Sequence, residues 1–462
     1  MKKICIYIFV LAGFFASQNL HAKIWRVNNN PGKSCDFTNL TDALRSKNVS
    51  EKDTIHIEGS VTPYGKDTQT ATNCDTIRQK LVIIGPGYQL SSNAETQHFK
   101  ESAKVKTLHV ASTAAGTIIA GIEQVAPNVS ASYYSGTGLV GAYRVVSTSY
   151  YASTVGWGDN ALFYKLRIEA DSVTVSHSKL FYVDLYNVNR ELKNITITKC
   201  FFNPGLIAAA AGDKQVTNVI ISNNYFRNEW NIGNSYWNTI WYSNLVIDFR
   251  GATAYGQNTN NFTMWSSDIW LFPVINPVIQ NNTFYSSFSI LAKGCQVYNN
   301  LFFPTNAYYG GSLVNYNMFG LFQSISRPHV TRNNIVYNAV VWGSPSATPA
   351  GADNNNTNNY GGMMPGIDGN KYSSLAESNW FAATTNRANQ VYDKSYELGS
   401  SSPALDDNKD VTKQRGMFGG LAPYVLSGLY TIPAVWDISI PTYPTGEVPS
   451  TGFEVRVKVK SH

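Results

Sequence analysis

The chain is expected to fold as an all-β, right-handed parallel β-helix solenoid with a short N-terminal capping helix and a C-terminal covering segment; three observations predict it. The first is a repeat. Ile195 to Phe202, Val219 to Phe226, Val278 to Phe284, Val297 to Phe302 and Val330 to Val336 superimpose on one pattern of alternating apolar residues, a polar pair and then aromatic or aliphatic residues. The second polar position falls at 200, 224, 282, 300 and 334, and the spacings of 24, 58, 18 and 34 residues suit coils with loops inserted in some of them. The second observation is strict alternation, as in Ile195 and Ile197 against Thr196 and Thr198, which turns one set of side chains inward and the other outward. The third is composition. Only 14% of residues are charged, and polar turn formers and aromatics replace the charges that long solvated helices would carry.

The elements follow from the N-terminus. Met1 Lys2 Lys3, an apolar run from Ile4 to Phe15 and a polar stretch ending at Leu20 His21 Ala22 read as a secretory signal peptide, cleaved after Ala22 or, alternatively, after Ala16. Cys5 lies too early for lipid attachment. The apolar run is too short to cross a bilayer, so a secreted or cell-surface protein without a transmembrane segment is expected. Asp36 to Ser46 sets Phe37, Leu40, Ala43 and Leu44 on one helical face, with Thr38 near its start, as a cap over the open end of the solenoid. Strands follow at Asp53 to Gly59 and Leu81 to Gly85, then the turn Gly85 Pro86 Gly87.

In the repeating coils an Asn at the turn tolerates the left-handed backbone region and can bond its own backbone. In register, such amides can bond one another in a ladder along the axis, as in cross-β stacks. At the far end, Ser402 Pro403 Ala404 and Gly416 to Gly420 are expected to close the last coil, and Leu421 to Pro449 to pack along the outside. The final alternating strand, Phe453 to Val459, is either a covering edge strand or a tail recognised during export. The division is therefore 1–22 signal peptide, 23–420 β-helix and 421–462 covering segment or tail.

Cysteine usage fits export. Cys35 and Cys74, both beside predicted strands, could form a disulfide pinning the N-terminal end. Cys200 and Cys295 read as small buried residues stacked in the solenoid. No Cys/His spacing points to zinc. The net charge of +6 is spread without basic blocks, which argues against nucleic acid.

The stretch Asp53 Thr54 Ile55 His56 Ile57 Glu58 Gly59, with Ile83 Ile84 Gly85 Pro86 Gly87 Tyr88, the Asn-Asn-x-Phe coils and the Ser-Pro-Ala segment, resembles the right-handed β-helix, pectin-lyase-like repeat proteins exported by Bacteroidetes. The resemblance covers nearly the whole chain after the signal peptide. It implies the fold and leaves the activity open among polysaccharide lyases, glycoside hydrolases, epimerases and adhesins. In lyases of that kind a basic residue acts beside calcium held by carboxylates, and in hydrolases clustered aspartates act. Arg327 Pro328 His329 Val330 Thr331 Arg332 has the residue types of an Arg-x-Pro-x-x-Arg motif at another spacing, and Asp406 Asp407 matches the hydrolase aspartates only as a dipeptide. No catalytic residue is assigned, and no cofactor is called for unless the protein is a lyase, where Ca2+ is implied.

The strongest binding signal lies between Tyr225 and Phe272, where Trp230, Trp237, Trp241, Trp265 and Trp270, five of the chain's ten tryptophans, stand among Arg227, Glu229, Asp248, Arg250 and Asp268. Sugar rings stack their C–H faces on aromatic planes, and carboxylates and guanidinium groups bond hydroxyls or uronates. The alternative is that these aromatics fill the interior or pin the loop. Tyr133 to Lys165 offers a second aromatic loop as an opposing wall. The expected function is polysaccharide binding along the side face, with a polysaccharide lyase or related enzyme on an acidic glycan, or a structural adhesin, as alternatives.

Overall fold

A computed structural model describes residues 22–65, 74–93, 99–125, 139–140, 143–144, 166–186, 189–209, 214–228, 245–248, 274–275, 277–286, 289–291, 296–303, 330–332, 335–337, 371–373, 375, 377–382, 393–405, 414–430, 434–439 and 456–460. These form a parallel β-helix. Two large sheets of 11 and 14 strands contain almost every strand, and each pairing within them is parallel. The first sheet runs Ile24–Val27, Thr54–Ile57, Val82–Ile84, Ile118–Ala120, Thr174–Ser176, Leu192–Thr198, Val216–Ser222, Val278–Gln280, Gln296–Tyr298 and Val330–Arg332, one strand per coil.

The second sheet is bent, which gives each coil three faces. Lys179–Leu185 pairs through Lys179 with Ile122–Gln124 and through its C-terminal half with Leu166–Ile168. Phe201–Ala209 likewise pairs with Tyr225–Asn228 and with Leu245–Asp248. Elsewhere two separate strands per coil do this work, one on either side of a corner. The strands that flank 125–166 and those that flank 228–245 therefore stand on either side of this same corner. Their coils are three strands apart, about 14 Å at the usual spacing.

The repeat superimposes in the register its pattern predicts. Ile195 stands beside Val219, Ile197 beside Ile221, and Ile221 beside Ile279, all of them inward and buried where described. After the five first-sheet strands from Thr174–Ser176 to Gln296–Tyr298 that end in the repeat, the turn is a single left-handed residue: His177, Lys199, Asn223, Asn281 and Asn299 have φ between 50° and 54°. The second polar residue points inward. Asn224, Asn282 and Asn300 are fully buried and form the expected ladder. The Nδ2 of Asn224 donates to Oδ1 of Asn282 at 3.1 Å, and that of Asn282 to Oδ1 of Asn300 at 3.0 Å. Each Nδ2 also donates, at 2.9 Å, to a carbonyl of the preceding coil, Ile197, Ile221 or Ile279. Cys200 heads the ladder, buried as expected, with its backbone N–H donating to Oδ1 of Asn224. Beside the ladder, Phe202, Phe226 and Phe284 stack face to face inside, with centroids 4.7 and 4.9 Å apart. Asn333, Asn334 and Cys295 lie outside the described residues.

Several expectations are corrected. The capping helix is Leu40–Arg45, shorter than expected, because Asn39 rather than Thr38 caps it, its side chain accepting from Asp42 N–H. Leu40 and Ala43 are buried against the first coil, with Phe37 and Leu44 partly buried beside them. Cys35 and Cys74 do not pair. Cys35 Sγ sits 3.4 Å from the Asn28 carbonyl, whereas Cys74 faces Thr76 at 3.8 Å.

The segment expected to close the last coil instead runs back along the line of left-handed turns. Gly416 N–H donates to Asn299 O, Asn223 Nδ2 donates to Met417 O and Gly419 O, and Tyr88 N–H donates to Ser427 O. Residues 414–430 thus form a strap along the outside. Beneath it and residues 377–382 and 393–405, outward-facing Phe201, Tyr225, Tyr285 and Leu301 join Trp380, Phe381, Tyr396, Met417 and Tyr424 in a second apolar core. The terminal strand, Arg456–Lys460, pairs antiparallel with Ala434–Ser439 in a small sheet of its own.

Candidate functional site

With the first bend of the second sheet covered by the strap, the chemistry-bearing outer surface is the face beyond the corner. One register position of each strand there runs along the axis: Thr76, His109, Arg167, Asp184, Ala208, Asp248 and Leu291 are successive register partners. The strands place them by alternation, an ionisable residue between two aliphatic ones, as in Leu108 His109 Val110, Leu166 Arg167 Ile168 and Val183 Asp184 Leu185.

Nε of Arg167 lies 3.3 Å from Oδ2 of Asp184, and the guanidinium stands 3.9 Å above the ring of Tyr186. Both charges are almost withdrawn from solvent, with side chains 6% and 0% exposed, although they point away from the interior. One strand over, Nε2 of His109 is 3.1 Å from Oε1 of Glu169. Cys74 lies beside the strand before it, its Sγ 3.8 Å from Thr76 Oγ1, and Thr76 is the register partner of His109. Burial opposes charge on all three groups, but their attraction for one another outweighs it. The Cys74 thiol and the Glu169 carboxyl are held below their ordinary values and the His109 imidazole above its own.

A second ionic run crosses the other half of the sheet. Lys104, Glu123 and Lys179 are register partners, and Lys179 Nζ lies 2.6 Å from Glu123 Oε1 while Ser102 Oγ donates to Oε2. Burial raises the Glu123 carboxyl, and the Lys179 ammonium more than reverses this, holding it low. Among the described residues no group of three His, Cys, Asp or Glu side chains is placed to hold a metal ion. No helix among them is long and apolar enough to cross a membrane.

Of the sequence-predicted glycan residues, Asp248 lies on the axial row, two strands from Asp184, and Arg227 lies on the neighbouring face in register with Tyr285. Glu229, Trp230, Trp237, Trp241, Arg250, Trp265, Asp268 and Trp270 lie outside the described residues, as do Asp406 and Asp407. Arg332 ends a first-sheet strand, on a different face from the row. Sequence reasoning did not single out His109, Arg167, Glu169 or Asp184. The signal available was a charged residue at the outward position of an otherwise aliphatic triplet, repeated from strand to strand.

No family model matches the chain, and no curated protein matches it. Among solved structures, one of a mutant of the PL6 family alginate lyase AlyGC is similar at 11% identity with a TM-score of 0.30, over 81% of this chain and 43% of that one. The chain thus spans less than half the length of that structure.

Proposed function

We propose that the protein is a secreted or cell-surface β-helix that binds a polysaccharide along its side, on the axial row from His109 to Asp248. The observation that carries this reading is the row itself. It lines up an imidazole, a guanidinium and two carboxylates in register, with Ala208 between the two aspartates, on strands about 4.8 Å apart that a linear polymer lying along the axis can follow. Charges held out of water on an outer face are costly, and they cluster where function requires them. His109, 15% exposed, suits a carboxylate of an acidic glycan, with the Arg167–Asp184 pair held behind it, and Asp248 suits its hydroxyls. The tryptophan-rich stretches 229–244 and 249–273 flank in sequence the strand that carries Asp248, and this reading assigns Trp230, Trp237, Trp241, Trp265 and Trp270 as its stacking groups.

The test is retention of the protein on immobilised acidic and neutral polysaccharides, with reducing-end release measured in parallel, with and without calcium. The expected result is binding of an acidic glycan that weakens at least tenfold in Asp248→Ala, about 1.4 kcal/mol, with no release. Release of new ends would favour the lyase alternative. Failure to bind any glycan would sink the reading and leave an adhesin.

A further inference from the structure

On the polysaccharide reading above, on which this inference rests, the charges of the row also say which kind of acidic polymer it takes. Over the four strand steps from His109 to Asp248, about 19 Å at the usual spacing, those charges are sparse. His109 stands at one end with its side chain 15% exposed, 3.1 Å from Glu169. Arg167 and Asp184 follow, 3.3 Å apart and 6% and 0% exposed, so they neutralise each other and present almost no charge to a ligand. The guanidinium is held further by the Tyr186 ring, 3.9 Å away. Ala208 brings no charge, Asp248 brings a carboxylate, and among the described residues the row holds no other cation. We propose that the row takes a heteropolysaccharide that sets one uronate at His109 and neutral sugars from there to Asp248, and that it turns polyuronates away.

Selectivity comes from what the row would leave unpaired. A polyuronate carries a carboxylate on every sugar. One of them meets His109, but those over Arg167 and Asp184 find a guanidinium already committed to an aspartate, and those at Asp248 find a like charge. Each loses water without gaining a counter-charge, which is costly. Neutral sugars escape this cost. They cross the paired charges and Ala208, and their hydroxyls donate to the Asp248 carboxylate. The net positive charge of the chain draws in any polyanion at long range, so the choice between polyanions falls to these contacts.

The experiment is calorimetric titration of the whole protein with octasaccharides of three glycans: polygalacturonate, charged at every sugar, hyaluronan, at every second, and gellan, at every fourth. Expected is an affinity for the gellan fragment about tenfold or more above that for polygalacturonate, with hyaluronan between, because like charges in contact at a protein surface repel by about that factor. Asp248→Asn should lower the ratio of gellan to polygalacturonate affinity about tenfold, and high salt should lower it as well by screening the repulsion. Polygalacturonate bound as tightly as gellan would overturn the inference and leave the polysaccharide reading standing. A ratio indifferent to Asp248→Asn would overturn it too. If none of the three binds, the polysaccharide reading falls and takes the inference with it. The comparison of glycans on the wild-type protein does not depend on how the variant folds.

Discussion

At the scale of single residues, the left-handed turn position shows how one backbone requirement admits different side chains. Asn223, Asn281 and Asn299 fill it in the later coils, and His177 and Lys199 in the earlier ones. His177 pays most for its place. Burial pulls its imidazole down to about 4, with the Lys199 charge acting in the same direction, and its ring packs edge-on against Tyr430. A histidine whose folded pKa lies below its unfolded value supplies stability above about pH 6.5 that is lost as the pH falls toward 4. His177→Asn, which installs the residue used by the later coils, should leave stability near pH 7 almost unchanged and flatten its loss between pH 6.5 and 4 in urea melts. Asp393 has the opposite sign. Burial pushes its carboxyl up to about 6 against hydrogen bonds from Ser427 N–H and the Tyr424 hydroxyl. Its stabilising contribution is therefore complete below about pH 4 and fades as the pH rises through 6. In Asp393→Asn that slope should vanish while the slope due to His177 remains.

At the scale of elements, the asparagine ladder joins each coil to the next. Asn282 accepts from Asn224 N–H and Nδ2 and donates to Ile221 O and Asn300 Oδ1, all inside the solenoid. Asn282→Ala strands those groups without water. At about 1 to 3 kcal/mol for each unsatisfied buried group, a loss of about 3 to 5 kcal/mol in equilibrium unfolding is expected. Cys200 offers the converse test. Its Sγ lies 3.7 Å from Val175 O, the carbonyl to which an amide at this place in the ladder would donate. Cys200→Asn should therefore raise stability by about 1 kcal/mol. A loss would show that the head of the ladder lacks room for an amide. The turn pattern was legible in sequence because alternation and left-handed tolerance are local properties. The coil of Val173 to Leu180 escaped it because His177 and Ser178 stand where the other coils carry asparagine or Lys-Cys.

At the scale of the molecule, the strap ties the later coils to the earlier ones. Tyr424 bonds both Asp393 and Tyr88, whose positions in the chain are 31 and 336 residues away, and the backbone of Ser427 and Gly428 lies against Gly87 and His177. A Cβ at Gly428 would fall 2.2 Å from His177 O, at φ 58°, so Gly428→Ala combines a backbone clash with a strained conformation. It should lower Tm by several degrees and speed proteolysis within 414–430 ahead of the coils. Equal protection of strap and coils would show that the strap tolerates the displacement.

The sequence by itself determined the coil, its inward and outward faces, the asparagine ladder and the buried place of Cys200, because each is written in residues a few positions apart and repeated. Only the tertiary structure decided that the Gly416 to Gly420 segment covers turns rather than closing an end, that Cys35 and Cys74 stay apart, and that His109 and Glu169 meet across neighbouring strands. Loop insertions separate those partners by tens to hundreds of residues, so their meeting depends on which coil each occupies. That register is set by stacking, and no local pattern records it.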